Sequence, residues 1–188
     1  MTIPTLLTVA RIGLIPIFVV CFYLPFEWAR PVTAVIFTLA AVTDWLDGYL
    51  ARRLDQMSAF GAFLDPVADK LMVAVALIFL VEASPSPWLA IPAAVIIGRE
   101  ITVSALREWM AGVGQSRKVS VNVIGKVKTT AQMLALILLL YHRPIAGIGL
   151  DKIGLGLLYL AAVLTLWSMI VYLGKAWPSL NKGAGDAQ

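Results

Sequence analysis

The sequence has 188 residues, of which 60% are hydrophobic and only 14% are charged, and its mean hydropathy is +0.87. A soluble domain of this length is about 45–50% apolar and roughly a quarter charged, so this composition excludes a soluble protein and predicts a membrane domain. The net charge of +4 suits a surface on anionic lipid. It does not indicate nucleic-acid binding, because no soluble recognition module carries the basic residues.

Apolar runs separated by turn residues predict six membrane-spanning helices and hence an all-α fold. In chain order the runs are Leu6–Leu24, Val32–Leu50, Phe60–Val81, Trp88–Met110, Val121–Tyr141 and Ile153–Leu173. We expect one polytopic membrane domain over residues 1–175 and a polar tail over residues 176–188. The glycines of the run Gly147, Gly149, Gly154 and Gly156 are expected to ease the transition from a loop into the last helix. His142 is expected to have a structural role.

The basic residues predict the orientation in the membrane, because the cytoplasmic ends of spans collect lysine and arginine. With a cytoplasmic N-terminus and six spans, 12 of the 15 basic residues fall on the cytoplasmic side. The other side keeps only Arg30, Arg143 and Lys152. Both termini, and the tail, are therefore expected in the cytoplasm.

Four acidic residues lie where the second and third spans meet the cytoplasm. Asp44 and Asp47 are three residues apart and share a face of the second helix, while Asp65 and Asp69 share a face of the third. The same faces carry the small residues Gly48, Ala51 and Gly61. Because short connections make consecutive helices neighbours, the two faces can point at each other. Converging carboxylates predict a site for Mg²⁺, Mn²⁺ or Ca²⁺ rather than for zinc or copper.

Two other interpretations of these acids stay open at this point. The acids could lie in a solvated charged loop, paired with Arg52, Arg53 and Lys70, or they could line an ion or proton pathway. The small residues on the same faces favour a binding site, because they leave room beside the carboxylates for a bound group.

Together these residues form a pattern of eight fixed positions within residues 44–69. The pattern is Asp44-x-x-Asp47-Gly48-x-x-Ala51-Arg52, eight residues, then Gly61-x-x-x-Asp65-x-x-x-Asp69. It resembles, at every fixed position, the signature of the CDP-alcohol phosphatidyltransferase family. The resemblance implies six spans, an active site on the cytoplasmic side, two divalent cations (Mg²⁺ or Mn²⁺) and a CDP-linked lipid donor.

The resemblance also implies a role for each matching position. The implied metal ligands are Asp44, Asp47, Asp65 and Asp69. Asp69 is in addition the implied catalytic base, which takes the proton from the hydroxyl of the acceptor alcohol. The implied residues of the CDP-lipid site are Asp47, Gly48, Ala51, Arg52 and Gly61.

Further segments, residues 3–11, 98–111 and 125–133, extend the resemblance over residues 3–133. They are similar to bacterial members of the family that use CDP-diacylglycerol as donor and sn-glycerol 3-phosphate as acceptor. The resemblance implies this reaction in phospholipid biosynthesis, an inner-membrane location and a homodimer. Members of the same family with another acceptor, such as inositol phosphate or serine, remain an alternative, and a small cation transporter is a further one.

Basic residues on the fourth and fifth spans fit an anionic acceptor, because a phosphate group draws guanidinium and ammonium groups together. The expected phosphate-binding residues are Arg99, Arg107, Lys126 and Lys128. Their other interpretation is membrane anchoring, with ion pairs to Glu100 and Glu108.

Overall fold

The computed structural model describes residues 3–54, 59–112, 123–144 and 149–183, and within them it contains six α-helices and no strand. The helices are α1 (Ile3–Tyr23), α2 (Ala29–Leu54), α3 (Ala59–Ala83), α4 (Pro87–Gly112), α5 (Val123–Tyr141) and α6 (Leu150–Gly183). The predicted six-helix, all-α fold is confirmed. Each predicted span lies within one helix, except that α1 ends one residue early and that residues 121 and 122 fall outside the described residues.

The described helices form a closed ring in which each helix touches two neighbours. The order around the ring is α1, α2, α5, α6, α4, α3 and back to α1. Helix α3 also contacts α2 and α5 across the ring, so it touches four of the other five helices. Because α3 carries Asp65 and Asp69, two of the predicted site residues lie on the helix with the most neighbours.

Apolar side chains fill the inside of the ring and also cover much of its outside. Phe18, Leu77 and Leu136 are fully buried, whereas Val20 and Val163 are more than 60% exposed. Three described stretches are long and apolar enough to cross a membrane: Leu6–Tyr23, Pro87–Met110 and Leu150–Gly174. Helix α5 adds a shorter apolar stretch, Val127–Tyr141. Apolar surface on the outside of a helical bundle has to be covered by lipid, and the chain is an integral membrane protein.

Helix α6 is longer at both ends than the sequence predicts. It begins at Leu150, three residues before the predicted span, and Gly154 and Gly156 lie inside it. It continues to Gly183, past the residue at which the polar tail is expected to begin. The assignment of a separate cytoplasmic tail stays a prediction.

The physical reason for a glycine inside α6 is its contact with α5. A Cβ at Gly154 would stand 2.9 Å from Cγ of Leu139 and 3.2 Å from the carbonyl oxygen of Ala135. Both distances are shorter than ordinary van der Waals contacts, and the backbone oxygen cannot move aside without shifting α5. A Cβ at Gly156, one half-turn further along the helix, would have no neighbouring atom within 4 Å.

We therefore predict that Gly154→Ala lowers the thermal stability of the detergent-solubilised protein. Overpacking a close contact costs about 1–3 kcal/mol, which exceeds the gain of roughly 1 kcal/mol that alanine brings to a helix interior. Gly156→Ala is the matched control, because it brings the same propensity gain without the contact. Melting followed by tryptophan fluorescence measures both variants. Equal melting temperatures for the two would show that α5 and α6 do not approach as closely as described.

Candidate active site

Two side chains of α1 contact the acids of α2 and α3. Arg11 donates a hydrogen bond from Nη1 to Oδ1 of Asp44 over 2.7 Å, and the Thr8 hydroxyl donates to Oδ1 of Asp65. Thr8 and Arg11 are three residues apart and therefore share one face of α1. Arg11 is only 2% exposed, while Asp44 is 43% exposed. The pair thus buries its cation and leaves part of its carboxylate open to a ligand.

The contribution of α1 changes the expected arrangement of the acids. From their spacing, the acidic faces of α2 and α3 are expected to point at each other directly. These helices do touch, but α1 packs against both of them and binds one acid on each. The acids of α2 and α3 therefore share their site with a buried guanidinium and a buried hydroxyl.

Asp69 lies further along α3 and is half-buried. Together with Arg11, Ala40, Met72 and Met133 it lines a small cavity inside the ring. Its carboxylate is also close enough to Asp44, Glu100 and Lys70 to interact with their charges. Asp69 is thus the residue that joins the acids of α2 with charged groups of α4.

The charged groups beyond Asp69 form a cluster on α4 and α5 around Glu100. The Arg99 guanidinium pairs with the Glu100 carboxylate, and Nζ of Lys128 stands 3.6 Å from the same carboxylate oxygen. Arg99 also donates from Nη2 to the Ser168 hydroxyl of α6 over 3.2 Å. Arg99 and Lys128 are 12% and 9% exposed. Two nearly buried cations thus lie beside one carboxylate, and guanidinium and ammonium groups are the side-chain groups that bind phosphate.

A second polar bridge fixes α4 against α3. The Ser104 hydroxyl accepts a hydrogen bond from Nζ of Lys70 and donates one to the carbonyl oxygen of Glu100 over 2.7 Å. The bridge joins the helix of Asp69 to the helix of Glu100, since Lys70 directly follows Asp69 in α3. Lys70 thus contacts Ser104 of α4, and among the described side chains it forms no direct ion pair of the kind that the solvated-loop interpretation requires.

Of the predicted site residues, Asp44 and Asp65 are bound to one face of α1, and the charge of Asp69 interacts with that of Asp44. Arg99 and Lys128 are both paired with Glu100. Gly61 is buried near the start of α3. The remaining predicted positions lie on α2, α4 and α5, but their side chains are outside the described residues: Asp47, Gly48, Ala51, Arg52, Arg107 and Lys126. The roles assigned to them stay predictions.

The acids suit a hard divalent cation by their chemistry, because each candidate ligand is a carboxylate and Mg²⁺ and Mn²⁺ prefer oxygen. Among the described side chains, no three acidic, histidine or cysteine groups stand close enough together to hold an ion. The carboxylate of Asp47, the fourth predicted ligand, lies outside that set. The Asp44 and Asp65 oxygens that a cation would use accept hydrogen bonds from Arg11 and Thr8.

Sequence reasoning missed three residues of this site: Thr8, Arg11 and Glu100. In the sequence, Thr8 and Arg11 belong to a segment that resembles the family and Arg11 counts toward the cytoplasmic charge bias, but neither residue is assigned a role in the site. An arginine inside an apolar span is nevertheless a sign of function, because a charge within the membrane needs a partner there. From the sequence, Glu100 is considered only as an ion-pair partner of basic residues. In the structure it pairs with both Arg99 and Lys128, two of the predicted phosphate-binding residues.

Taken with the fold, this site defines an integral membrane enzyme whose charged groups are gathered at one end of a helical ring. The chain belongs to the CDP-alcohol phosphatidyltransferase family, whose sequence profile matches residues 1–169. Membership makes the chain an enzyme, and the cation transporter considered from the sequence is not supported.

Curated relatives agree over nearly the whole chain, and three of them carry the name CDP-diacylglycerol–glycerol-3-phosphate 3-phosphatidyltransferase. The one from Pectobacterium atrosepticum is 60% identical over 176 residues, which cover 93% of this chain and 94% of the relative. The one from Salmonella typhimurium is 59% identical over 174 residues, with the same two coverages. The one from Pseudomonas fluorescens is 56% identical over 182 residues, covering 96% of this chain and 93% of the relative.

Proposed function

We propose that this chain transfers the phosphatidyl group of CDP-diacylglycerol to sn-glycerol 3-phosphate, forming phosphatidylglycerophosphate and releasing CMP. The observation that carries the proposal is the position of Asp69. It lines a cavity together with Arg11, the partner of Asp44, and its carboxylate interacts with the charges of Asp44 on α2 and Glu100 on α4. The names and the high identity of the curated relatives support the same reaction.

The chemistry assigns a proton acceptor to this central position. The acceptor hydroxyl oxygen forms a bond to the lipid-side phosphorus of the diphosphate, and the bond from that phosphorus to CMP breaks. The hydroxyl must lose its proton as the new bond forms, and the Asp69 carboxylate takes it. Arg11 orients the acids on the donor side through Asp44.

The proposed donor site uses the acidic pattern of α2 and α3. Two divalent cations, Mg²⁺ or Mn²⁺, would be held by Asp44, Asp47, Asp65 and Asp69. Such ions neutralise phosphoryl charge and position the diphosphate when bound. The nucleotide would lie against Gly48, Ala51 and Gly61, where the absence of a large side chain permits close approach, and its phosphates would meet Arg52.

The proposed acceptor site is the cluster around Glu100, extended by Arg107 and Lys126. Arg99 and Lys128 pair with Glu100, whose charge acts on Asp69, so a phosphate bound at the cluster would bring the free hydroxyl of a short alcohol toward the base. Charge-assisted hydrogen bonds of this kind are about twice as strong as neutral ones. The cluster thus supports a phosphorylated acceptor and disfavours serine and glycerol.

We predict that Lys128→Gln lowers kcat/KM for sn-glycerol 3-phosphate at least about tenfold, because a charge-assisted contact to phosphate is lost. Binding of CDP-diacylglycerol should change little. Lys152→Gln, which removes the same charge at the other end of the ring, is the matched control. Initial rates of CMP release at varied acceptor concentration measure the effect.

Acceptor competition completes this test of the proposed function. Glycerol phosphate, inositol phosphate, serine and glycerol are offered at equal concentration, and glycerol phosphate should be the preferred acceptor of the parent enzyme. Preference for serine or glycerol would contradict the phosphate site. Preference for inositol phosphate would agree with the phosphate site but contradict glycerol phosphate as the acceptor.

The charge bias supports an active site on the cytoplasmic side of a bacterial inner membrane, with both termini in the cytoplasm. Among the described side chains, the basic residues near the acids of α2 and α3 are Arg11, Lys70, Arg99 and Lys128, all of which the charge bias assigns to the cytoplasmic side. We propose in addition that the enzyme works as a homodimer, with lipid-facing apolar surface covered by the second copy. Cross-linking in intact membranes tests the dimer, and a monomer alone would contradict it.

The orientation predicts opposite accessibility for two single cysteines in a Cys21→Ala background. A cysteine at Ser116 should be shielded from a membrane-impermeant thiol reagent in intact cells, while one at the exposed Ser84 should react. Permeabilised cells are the control, and both positions should then be labelled. Labelling of Ser116 alone in intact cells would reverse the orientation and place catalysis on the outer side.

A further inference from the structure

A second cavity, of about 270 Å³, opens at the end of the ring opposite the candidate active site. It lies among the C-terminal ends of α3 and α5 and the N-terminal ends of α2, α4 and α6. Its polar lining is Arg30, Ser84, Ser86, His142 and Asp151, and its apolar lining is Leu80, Trp88, Leu89, Leu139 and Leu155. None of these residues belongs to the catalytic machinery described above.

The cation of this cavity is Arg30, at the start of α2. Its guanidinium carbon stands 4.1 Å from the centre of the Phe22 ring, which holds the side chain in place by a cation–π contact. In the described parts of the chain, no carboxylate forms an ion pair with Arg30. A half-buried guanidinium without a carboxylate partner keeps its donors for an anion, and its planar fork suits phosphate oxygens.

The carboxylate of the cavity is Asp151, in the first turn of α6. Its Oδ1 lies 3.0 Å from Nδ1 of His142, which leaves the second carboxylate oxygen for another donor. His142 has a φ of 48°, in the left-handed region that costs energy for a residue with a Cβ. It ends α5 with a bond from its N–H to the carbonyl oxygen of Leu138. Glycine is the usual residue at a helix end with a positive φ, and the contact with Asp151 gives a reason for histidine at this position.

One cation and one carboxylate in the same cavity match a ligand that carries both charges. The volume equals that of about nine water molecules in the liquid, which is room for a compact phospholipid headgroup. The cavity opens at the helix ends, where headgroups lie, and the 70% exposed Trp88 at its edge is typical of the membrane interface. The leucines of the lining offer apolar surface to the start of the acyl chains.

We propose that this cavity binds the headgroup of a zwitterionic phospholipid with a primary amine, its phosphodiester on Arg30 and its ammonium on Asp151. Phosphatidylglycerol has the same phosphodiester but no ammonium group, so it would leave the charge of the Asp151 carboxylate without a cationic partner from the lipid. A quaternary ammonium could not donate a hydrogen bond to that carboxylate. The site is separate from the donor and acceptor sites, and its occupant is a lipid of the surrounding membrane and not a substrate.

The test is lipid retention by the purified full-length protein, measured by native mass spectrometry. The delipidated protein is offered equal amounts of dioleoyl phosphatidylethanolamine, phosphatidylcholine and phosphatidylglycerol. We expect phosphatidylethanolamine to be retained about tenfold over each of the other two. Arg30→Gln should abolish this retention, whereas Asp151→Asn should keep a bound lipid but lose the preference for the primary amine.

Arg143→Gln is the matched control, because Arg143 lies at the same end but outside the cavity, donating from Nη2 to the carbonyl oxygen of Glu27 over 2.5 Å. It should retain phosphatidylethanolamine as the parent does. Soluble glycerophosphoethanolamine at equal concentration should not displace the lipid. Equal retention of the three lipids, unchanged selectivity in Asp151→Asn, or displacement by the soluble headgroup would each overturn the proposal. If Arg30→Gln does not fold, the selectivity of Asp151→Asn decides alone.

Discussion

Removal of divalent metal is expected to abolish CMP release, and Mg²⁺ or Mn²⁺ is expected to restore it. Asp44, Asp65 and Asp69 offer only carboxylate oxygens at one end of the ring, and the diphosphate of the donor is itself strongly anionic. Without cations, repulsion between these groups opposes binding of the donor in a reactive position. Chelation followed by titration of each metal, with metal content determined separately, measures the effect.

Metal binding has a second readout that does not depend on turnover. A ligand that binds the folded state alone raises its stability, so saturating Mg²⁺ or Mn²⁺ should raise the melting temperature of the parent protein. Asp44→Asn should reduce this rise, whereas Glu27→Gln, which alters an exposed carboxylate at the opposite end, should not. Full turnover by a protein that contains no divalent metal would contradict the proposed metal dependence.

Asp69→Asn is expected to lower kcat by about 10²–10⁴-fold, the usual effect of losing a general base. Asparagine has nearly the same shape but cannot take the proton of the acceptor hydroxyl. The variant should therefore keep more binding of CDP-diacylglycerol and metal than Asp44→Asn, which alters the donor side directly. Stopped assays of CMP release and equilibrium binding of the donor separate the two effects. A rate close to that of the parent would assign the base to another residue.

The features that the sequence predicts well are those that depend on residues of a single helix. Apolar runs of about 20 residues predict the six helices, because a membrane leaves few other structures for such runs. The spacing of Asp65 and Asp69 likewise predicts that they share a face, since residues four apart in a helix lie together. Both predictions need no knowledge of how the helices are arranged.

The features that the sequence does not predict depend on which helices meet. Arg11 binds Asp44 from a position 33 residues away, and Thr8 binds Asp65 from 57 residues away. No local pattern indicates these partners, because they follow from the packing of α1 against both α2 and α3. The need for glycine at position 154 likewise depends on helix packing, because it follows from the close contact between α6 and α5.

Buried ion pairs also explain why the phosphate-binding prediction needed the structure. From sequence, Arg99 and Lys128 could either anchor the helices or bind an anion. The structure pairs both with Glu100, whose charge in turn acts on Asp69. Ion pairing with a carboxylate and contact with a phosphate do not exclude each other, because a guanidinium carries five N–H donors and an ammonium carries three.

The most direct test of the proposed reaction is product formation by the purified protein with CDP-diacylglycerol labelled in both its cytidine and its lipid. With sn-glycerol 3-phosphate and divalent metal present, labelled CMP and labelled phosphatidylglycerophosphate should form in equal amounts, and neither should form when the acceptor is omitted. CMP release without an acceptor, or labelled lipid joined to a different alcohol, would contradict the proposed transfer.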